Sequence, residues 1–230
     1  MNMKLAITAA AITALGIGLW ADTHNKVQLW EGGPYWADTN IGAEKPWDSG
    51  YYFWWGDTVG YKRENDAWVA SDGSSSNFQF NFGMTSRRTY NKTSAVLLRE
   101  GWITTAGVLA PKHDAAHVHW GNGWRMPTYR ELKDINSKCD WIRTTTNGVS
   151  GYIVRGRGDY ASASIFLPAV GRGYGITLCS AGEYGYYWSS VPNSFNSSYT
   201  YELQFPSDHH STNGFSRRSS GRSIRPVQEF

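Results

Sequence analysis

The chain has 230 residues, 40% of them hydrophobic and 15% aromatic, which is ample for a buried core and excludes disorder as the state of the bulk of the chain. Its net charge of +3 comes from Lys and Arg scattered without a long run, so no electrostatic footprint points to nucleic acid.

At the amino end Lys4 supplies a short positive start, Leu5 to Leu19 an apolar run and Ala21 a small residue before polar sequence. This pattern predicts a secretory signal peptide over residues 1–21. The run is shorter than the roughly 20 apolar residues that span a bilayer comfortably, and no cysteine lies near Ala21 to carry a lipid. The expected product, residues 22–230, is a single domain that is secreted or held at the cell surface, with no membrane segment left after cleavage.

Short strands are expected at Lys26 to Trp30 and at Ser223 to Val227, the second with Pro226 marking an edge or a strand end. A short helix is expected around Trp47 to Trp55, and Ser71 to Ser76 reads as a surface loop. Another helix starts at Asp114, buries Ala116 or Val118 and stops at Gly121. The clearest helix begins at Thr128, where Glu131 three residues on completes a capping box and Pro127 stands just before; Leu132, Ile135 and Cys139 share one face. Gly171, Gly173, Gly175, Gly182 and Gly185 separate short aromatic segments. Tyr199 to Phe205 alternates apolar with polar at period two, a half-buried strand. No repeat of 20 to 50 residues and no interdomain linker is visible.

Several short motifs follow one another in a fixed order. They include Tyr35-Trp36-Ala37, Tyr52-Phe53-Trp54-Trp55-Gly56-Asp57, Trp120-Gly121-Asn122-Gly123-Trp124-Arg125-Met126-Pro127-Thr128, Phe166-Leu167-Pro168-Ala169, Gly185-Tyr186-Tyr187-Trp188-Ser189-Ser190 and Ser223-Ile224-Arg225-Pro226-Val227. This succession resembles the Fibrobacter succinogenes major paralogous domain family and covers nearly all of the mature chain. The resemblance implies an α+β, C-type-lectin-like fold, close to that of the formylglycine-generating enzymes. Its expected features are a small twisted antiparallel sheet, two to three short helices, long aromatic and Gly-rich loops, and paired terminal strands. Tryptophans would then be core residues whose N–H groups bond to loop carbonyls.

Formylglycine-generating oxidases rely on a pair of cysteines near the end of the domain; Cys139 at a helix terminus and Cys179 alone in the later part do not reproduce it. Nor is there a GxSxG elbow, a phosphate-cradling loop or a HExxH helix, so the chain reads as non-enzymatic with no cofactor. His113, His117 and His119 have chelating spacing only if one helix holds them, and Asp114 as N-cap leaves His113 outside. No carboxylate and amide cluster suggests a calcium site, so no metal is expected. Export would permit a disulfide between Cys139 and Cys179; two free thiols are the alternative.

Residues 191–227 place rigid aromatics and adaptable polar side chains in loops beside a strand, the chemistry of a paratope. The expected ligand-binding residues are Phe195, Tyr199, His209, His210, Ser211, Asn213, Phe215, Arg217, Ser219 and Ser220, facing an unknown protein or carbohydrate ligand. In relatives the same segment is the variable region of diversity-generating retroelements, where adenine-directed mutagenesis scatters residues across a binding surface. Asp208 to Arg217, Ser219 and Ser220 are all reachable from AAY codons, whereas Glu202 and Gln204 are not. Three readings follow: a ligand-binding module, a retroelement-diversified receptor, and a structural surface or adhesin domain.

Overall fold

A computed structural model describes residues 24–74, 78–81, 88–206 and 211–229, with Ser211 to Asn213 described by backbone alone. The expected signal peptide, Ser75 and Ser76 of the Ser-rich loop, His209 and His210 all lie outside the described residues. In chain order the strands are β1 (Lys26–Gln28), β2 (Tyr35–Ala37), β3 (Tyr61–Glu64), β4 (Ala67–Ala70), β5 (Trp124–Arg125), β6 (Asp140–Thr146) and β7 (Val149–Arg155). They continue with β8 (Ser164–Pro168), β9 (Arg172–Tyr174), β10 (Thr177–Cys179), β11 (Gly185–Pro192), β12 (Tyr199–Phe205), β13 (Ser211–Arg217) and β14 (Val227–Gln228). The α-helices are α1 (Ser94–Arg99), α2 (Ala115–Trp120) and α3 (Tyr129–Lys138).

The class is α+β and sheet-rich. The strands form sheets ordered β1-β2-β14-β5, β6-β7-β8 and β11-β12-β13, with hairpins β3-β4 and β9-β10, all antiparallel. Strand β14, near the end of the chain, lies between β2 and β5 and pairs Val227 with both Trp36 and Arg125.

Local chemistry explains the helices. Thr128 Oγ1 accepts from Glu131 N at 3.2 Å while Glu131 Oε2 accepts from Thr128 N at 2.7 Å, the reciprocal box expected for α3. Leu132 and Ile135 are buried, as is Cys139 at the helix end, and α3 packs across β11, β12 and β13. Asp114 caps α2, accepting from Ala116 N and His117 N, and also from Met126 N, which ties the helix to β5. Burial of this carboxylate raises its pKa, and the three backbone N–H groups pull the other way. Of the two apolar candidates on α2, Ala116 is buried and Val118 exposed.

The expected helix around Trp47 to Trp55 does not form. Tyr52 and Phe53 instead bridge to Tyr61 and Arg222 as extended chain. Gly50 has φ +67, and a Cβ there would stand 2.3 Å from Ile41 O, so the backbone breaks just where a helix would have to run. Tyr52, Phe53, Trp54 and Trp55 are all buried, which suits a segment threading the core better than an amphipathic helix. Near the other end the regular strand is shorter than expected, Val227–Gln228, with Pro226 immediately before it.

Two apolar clusters make up the core. One gathers Trp36, Tyr52, Trp68, Phe80, Tyr152 and Phe205; the other gathers Phe53, Trp55, Leu97, Met126, Trp188 and Ile224. Indole N–H groups bond to backbone carbonyls across long sequence distances: Trp55 to Ser189, Trp68 to Gly175 and Trp188 to Phe53, at 2.8 to 3.0 Å. Each bond pins an irregular segment to a rigid ring, which is how a fold with short strands holds its loops. Cys139 and Cys179 are not bridged; burial pushes the Cys139 thiol up to about 12, so it is a packing residue rather than a reactive one.

Candidate functional site

The structure collects part of the expected site on strands β12 and β13. Their register sets Tyr199 opposite Arg217 and Tyr201 opposite Phe215. Phe215 is 56% exposed and meets Tyr199 edge to face, ring centroids 5.5 Å apart. Arg217 stands exposed beside them, its guanidinium raised above the usual arginine range by a hydrogen bond to the Tyr199 side chain, with smaller contributions from Tyr90 and Tyr174. Tyr201 stacks on Tyr129 of α3 at 3.9 Å, so the aromatic surface is anchored to the helix.

Phe195 is 94% exposed at the tip of the β11–β12 connection. That turn is built rather than loose. Asn193 Oδ1 accepts from Phe195 N and Asn196 N, and Asn196 Oδ1 accepts from Ser198 N. The scaffold therefore fixes the backbone from which the phenyl ring projects.

Other expected residues serve the interior. Ser219 and Ser220 are buried, and both hydroxyls donate to Asn81 Oδ1, so they are removed from the ligand surface. Ser211 and Asn213 fall on β13 by backbone alone, and His209 and His210 lie outside the described residues. Tyr90 and Tyr174, which sequence reasoning missed, stand near enough to Arg217 to act on its charge. The only sequence signal at Tyr174 is its place between Gly173 and Gly175, the first of which leaves room for the Phe80 ring.

Beneath this face lies a charged core. Glu202 is 2% exposed and Arg222 1%; Arg222 Nε donates to Glu202 Oε2 at 2.7 Å, and Ser216 Oγ bridges the two side chains. The Arg222 guanidinium lies over Tyr186 and Trp188, 4.6 and 5.3 Å from the ring centroids. Arg218 and Arg225 are equally buried but have no carboxylate partner among the described residues. Arg218 donates to the carbonyls of Tyr199, Thr89 and Lys92, while Arg225 donates to Asn40 Oδ1 and to the carbonyls of Ala37, Asp38 and Phe166. Desolvation lowers each of these two guanidinium groups to about 10. Arg218 and Arg225 thus tie the last part of the chain to distant loops, while Arg222 ties it to β12 and β13.

A separate cleft of about 590 Å³ opens where five segments meet. They are the 42–50 loop with Trp47, strand β3 with Lys62 and Arg63, the β6–β7 turn, the stretch after β8, and residues 178–182. None of the expected ligand-binding residues lines it.

Two of the three histidines considered as metal ligands have other partners. His113 stacks on Trp102 and His119 bonds to the Thr58 carbonyl, on either side of the α2 cap. Among the described residues no group of three His, Cys, Asp or Glu converges on a metal position. Nor is any described helix long and apolar enough to cross a membrane. No family model matches the chain, and neither a curated protein nor a solved structure does.

Proposed function

We propose that the chain is an exported, non-catalytic ligand-binding module of C-type-lectin-like fold that holds its ligand on the Tyr199–Phe215–Arg217 face. The carrying observation is the exposure of Phe215 and Arg217 on a strand whose neighbouring residues are locked into the core. Nothing in the packing requires a large apolar ring and a planar guanidinium to face water together. At an interface they are the anchors that recur, with Tyr199 completing the patch. A protein surface fits this chemistry best, since the patch is aromatic and its three residues line neither described pocket.

The fold assignment is supported by small antiparallel sheets, by the first and last strands sharing one sheet with β2 between them rather than pairing directly, by capped helices and by long connections held by indole and guanidinium groups. Diversification of the whole segment fits less well. Glu202 and Ser216 belong to the buried Arg222 network and Ser219 and Ser220 to the Asn81 contact, so replacement there would disturb the fold.

The test compares proteins captured from the organism's surroundings by the wild type, by Phe215→Ala and by Arg217→Ala. A partner held by the wild type should bind each variant about tenfold or more weakly. Cooperative unfolding should be unchanged in both. Equal capture by all three proteins would remove this face as the site.

A further inference from the structure

We propose that the cleft between the 42–50 loop and β3 is a second binding site, for a short neutral oligosaccharide. It shares no residue with the Tyr199–Phe215–Arg217 face and does not depend on that reading. Its volume of about 590 Å³ falls among small-molecule pockets, which run from roughly 300 to 1,000 Å³.

The cleft is preformed. Asn40 Nδ2 donates to the carbonyls of Asp48 and Ser49, Ser223 Oγ donates to Ser49 O, and Arg225 holds Asn40 by its Oδ1. On the far wall Ala169 N donates to Ser150 O at 2.8 Å and Gly182 N to Ala169 O at 2.7 Å. The buried arginine network therefore sets one wall and β-type backbone bonds set the other, so little ordering remains to oppose binding.

Trp47 sets this cleft apart from the core. Trp55, Trp68, Trp141 and Trp188 each donate an indole hydrogen bond to a carbonyl, and Trp36 and Trp54, whose indole N–H groups have no partner among the described residues, are buried in ring pairs. Trp47 is half-buried at the cleft wall and makes neither a ring pair nor a hydrogen bond among the described residues. A half-exposed indole without a structural partner is a platform for the apolar face of a sugar ring, and Val149, Val170 and Leu178 extend the apolar wall.

The polar groups choose the ligand class. Arg63 is largely shielded, donates through Nη2 to exposed Asp66 and lies over the Trp68 ring, so it brings a positive charge to the cleft wall while its Nη1 is buried. Lys62 lies beside it on β3, while Glu44, Asp48 and Glu64 supply carboxylates to the same cleft. An anion would meet three carboxylates, and a polycation would meet two cations. Hydroxyl groups donate and accept at once and satisfy both sets.

The experiment titrates the purified protein with neutral gluco-, xylo- and manno-tetrasaccharides, with oligogalacturonate and a tetrapeptide as charged counterparts, following indole N–H signals by NMR. At least one neutral series should shift the Trp47 signal. Trp47→Ala and Ala181→Trp, the latter adding bulk at an exposed lining residue, should each weaken binding by about tenfold or more. Phe215→Ala should leave it unchanged. Near-UV circular dichroism of Ala181→Trp confirms the fold should Trp47→Ala not be stable. Absence of neutral-sugar binding at millimolar ligand, binding of the charged probes alone, or undiminished binding by Ala181→Trp would overturn the assignment.

Discussion

Glu202→Ala removes the one carboxylate on Arg222 among the described residues and leaves its guanidinium enclosed between Tyr186 and Trp188. Two bonds survive, Nη1 to Gly221 O at 3.1 Å and Nη2 to Ser216 Oγ at 2.6 Å. The 2.7 Å bond from Nε is lost, and Ser216 loses its acceptor Glu202 Oε1 at 2.8 Å. Breaking a buried pair from one side strands a charge and costs about 3–5 kcal/mol, against about 0–1 kcal/mol for a solvated pair. Set beside a typical domain stability of about 5–15 kcal/mol, the loss is large. Urea unfolding should show a lower midpoint with the slope unchanged. The double variant Glu202→Met, Arg222→Met strands no charge and should recover most of the loss. A cost below about 1 kcal/mol for Glu202→Ala, or a double variant no better than the single one, would refute the picture of a dry ion pair under the Tyr199–Phe215–Arg217 face.

Gly151→Ala should destabilise by about 1–3 kcal/mol through overpacking. Its Cβ would stand 2.3 Å from Leu167 O, a backbone atom of the neighbouring strand that cannot rotate away. Thermal melting reads this as a drop of roughly 2–4 °C per kcal/mol, and an unchanged Tm would contradict the close β7–β8 ladder. Cys139 gives a pH test. The unfolded thiol ionises from about its ordinary 9.0 and the folded one only near 12, so its contribution is fully present below pH 9 and is lost as pH rises through that window. The stability advantage of the wild type over Cys139→Ala should therefore shrink above pH 9, and a gap independent of pH would show that the thiol is solvated.

What was legible in the sequence was local. The Thr128–Glu131 box, the Asp114 cap and the alternation over Tyr199 to Phe205 each concern residues a few positions apart; the first two form as expected, and the third forms its strand but buries the polar Thr200 and Glu202 while Tyr199 and Tyr201 stay partly exposed. Helix α1 had a comparable signal in Thr93, whose hydroxyl accepts from Val96 N, but only one of its residues, Leu97, is buried. The missing features depend on long-range pairing. Arg218, Arg222 and Arg225 would ordinarily be read as solvated, and their burial follows from acceptors that lie up to 188 residues away. Ser219 and Ser220 looked like adaptable contact residues because nothing near them names Asn81. The cleft likewise draws on five separated segments, and no stretch of sequence announces it.

The placement of β14 has a kinetic consequence. Strands β2 and β5 do not pair with each other; they are joined only through Val227 and Gln228. A ribosome or a translocation channel releasing the chain from its amino end cannot let this sheet close until those two residues emerge. Until then Trp36 and Trp124 lack their central neighbour, and closing the ladder means bringing together points separated by nearly the whole chain, a slow, high-contact-order step. The architecture thus delays its own completion, and it makes Val227 and Gln228 unsuitable for removal.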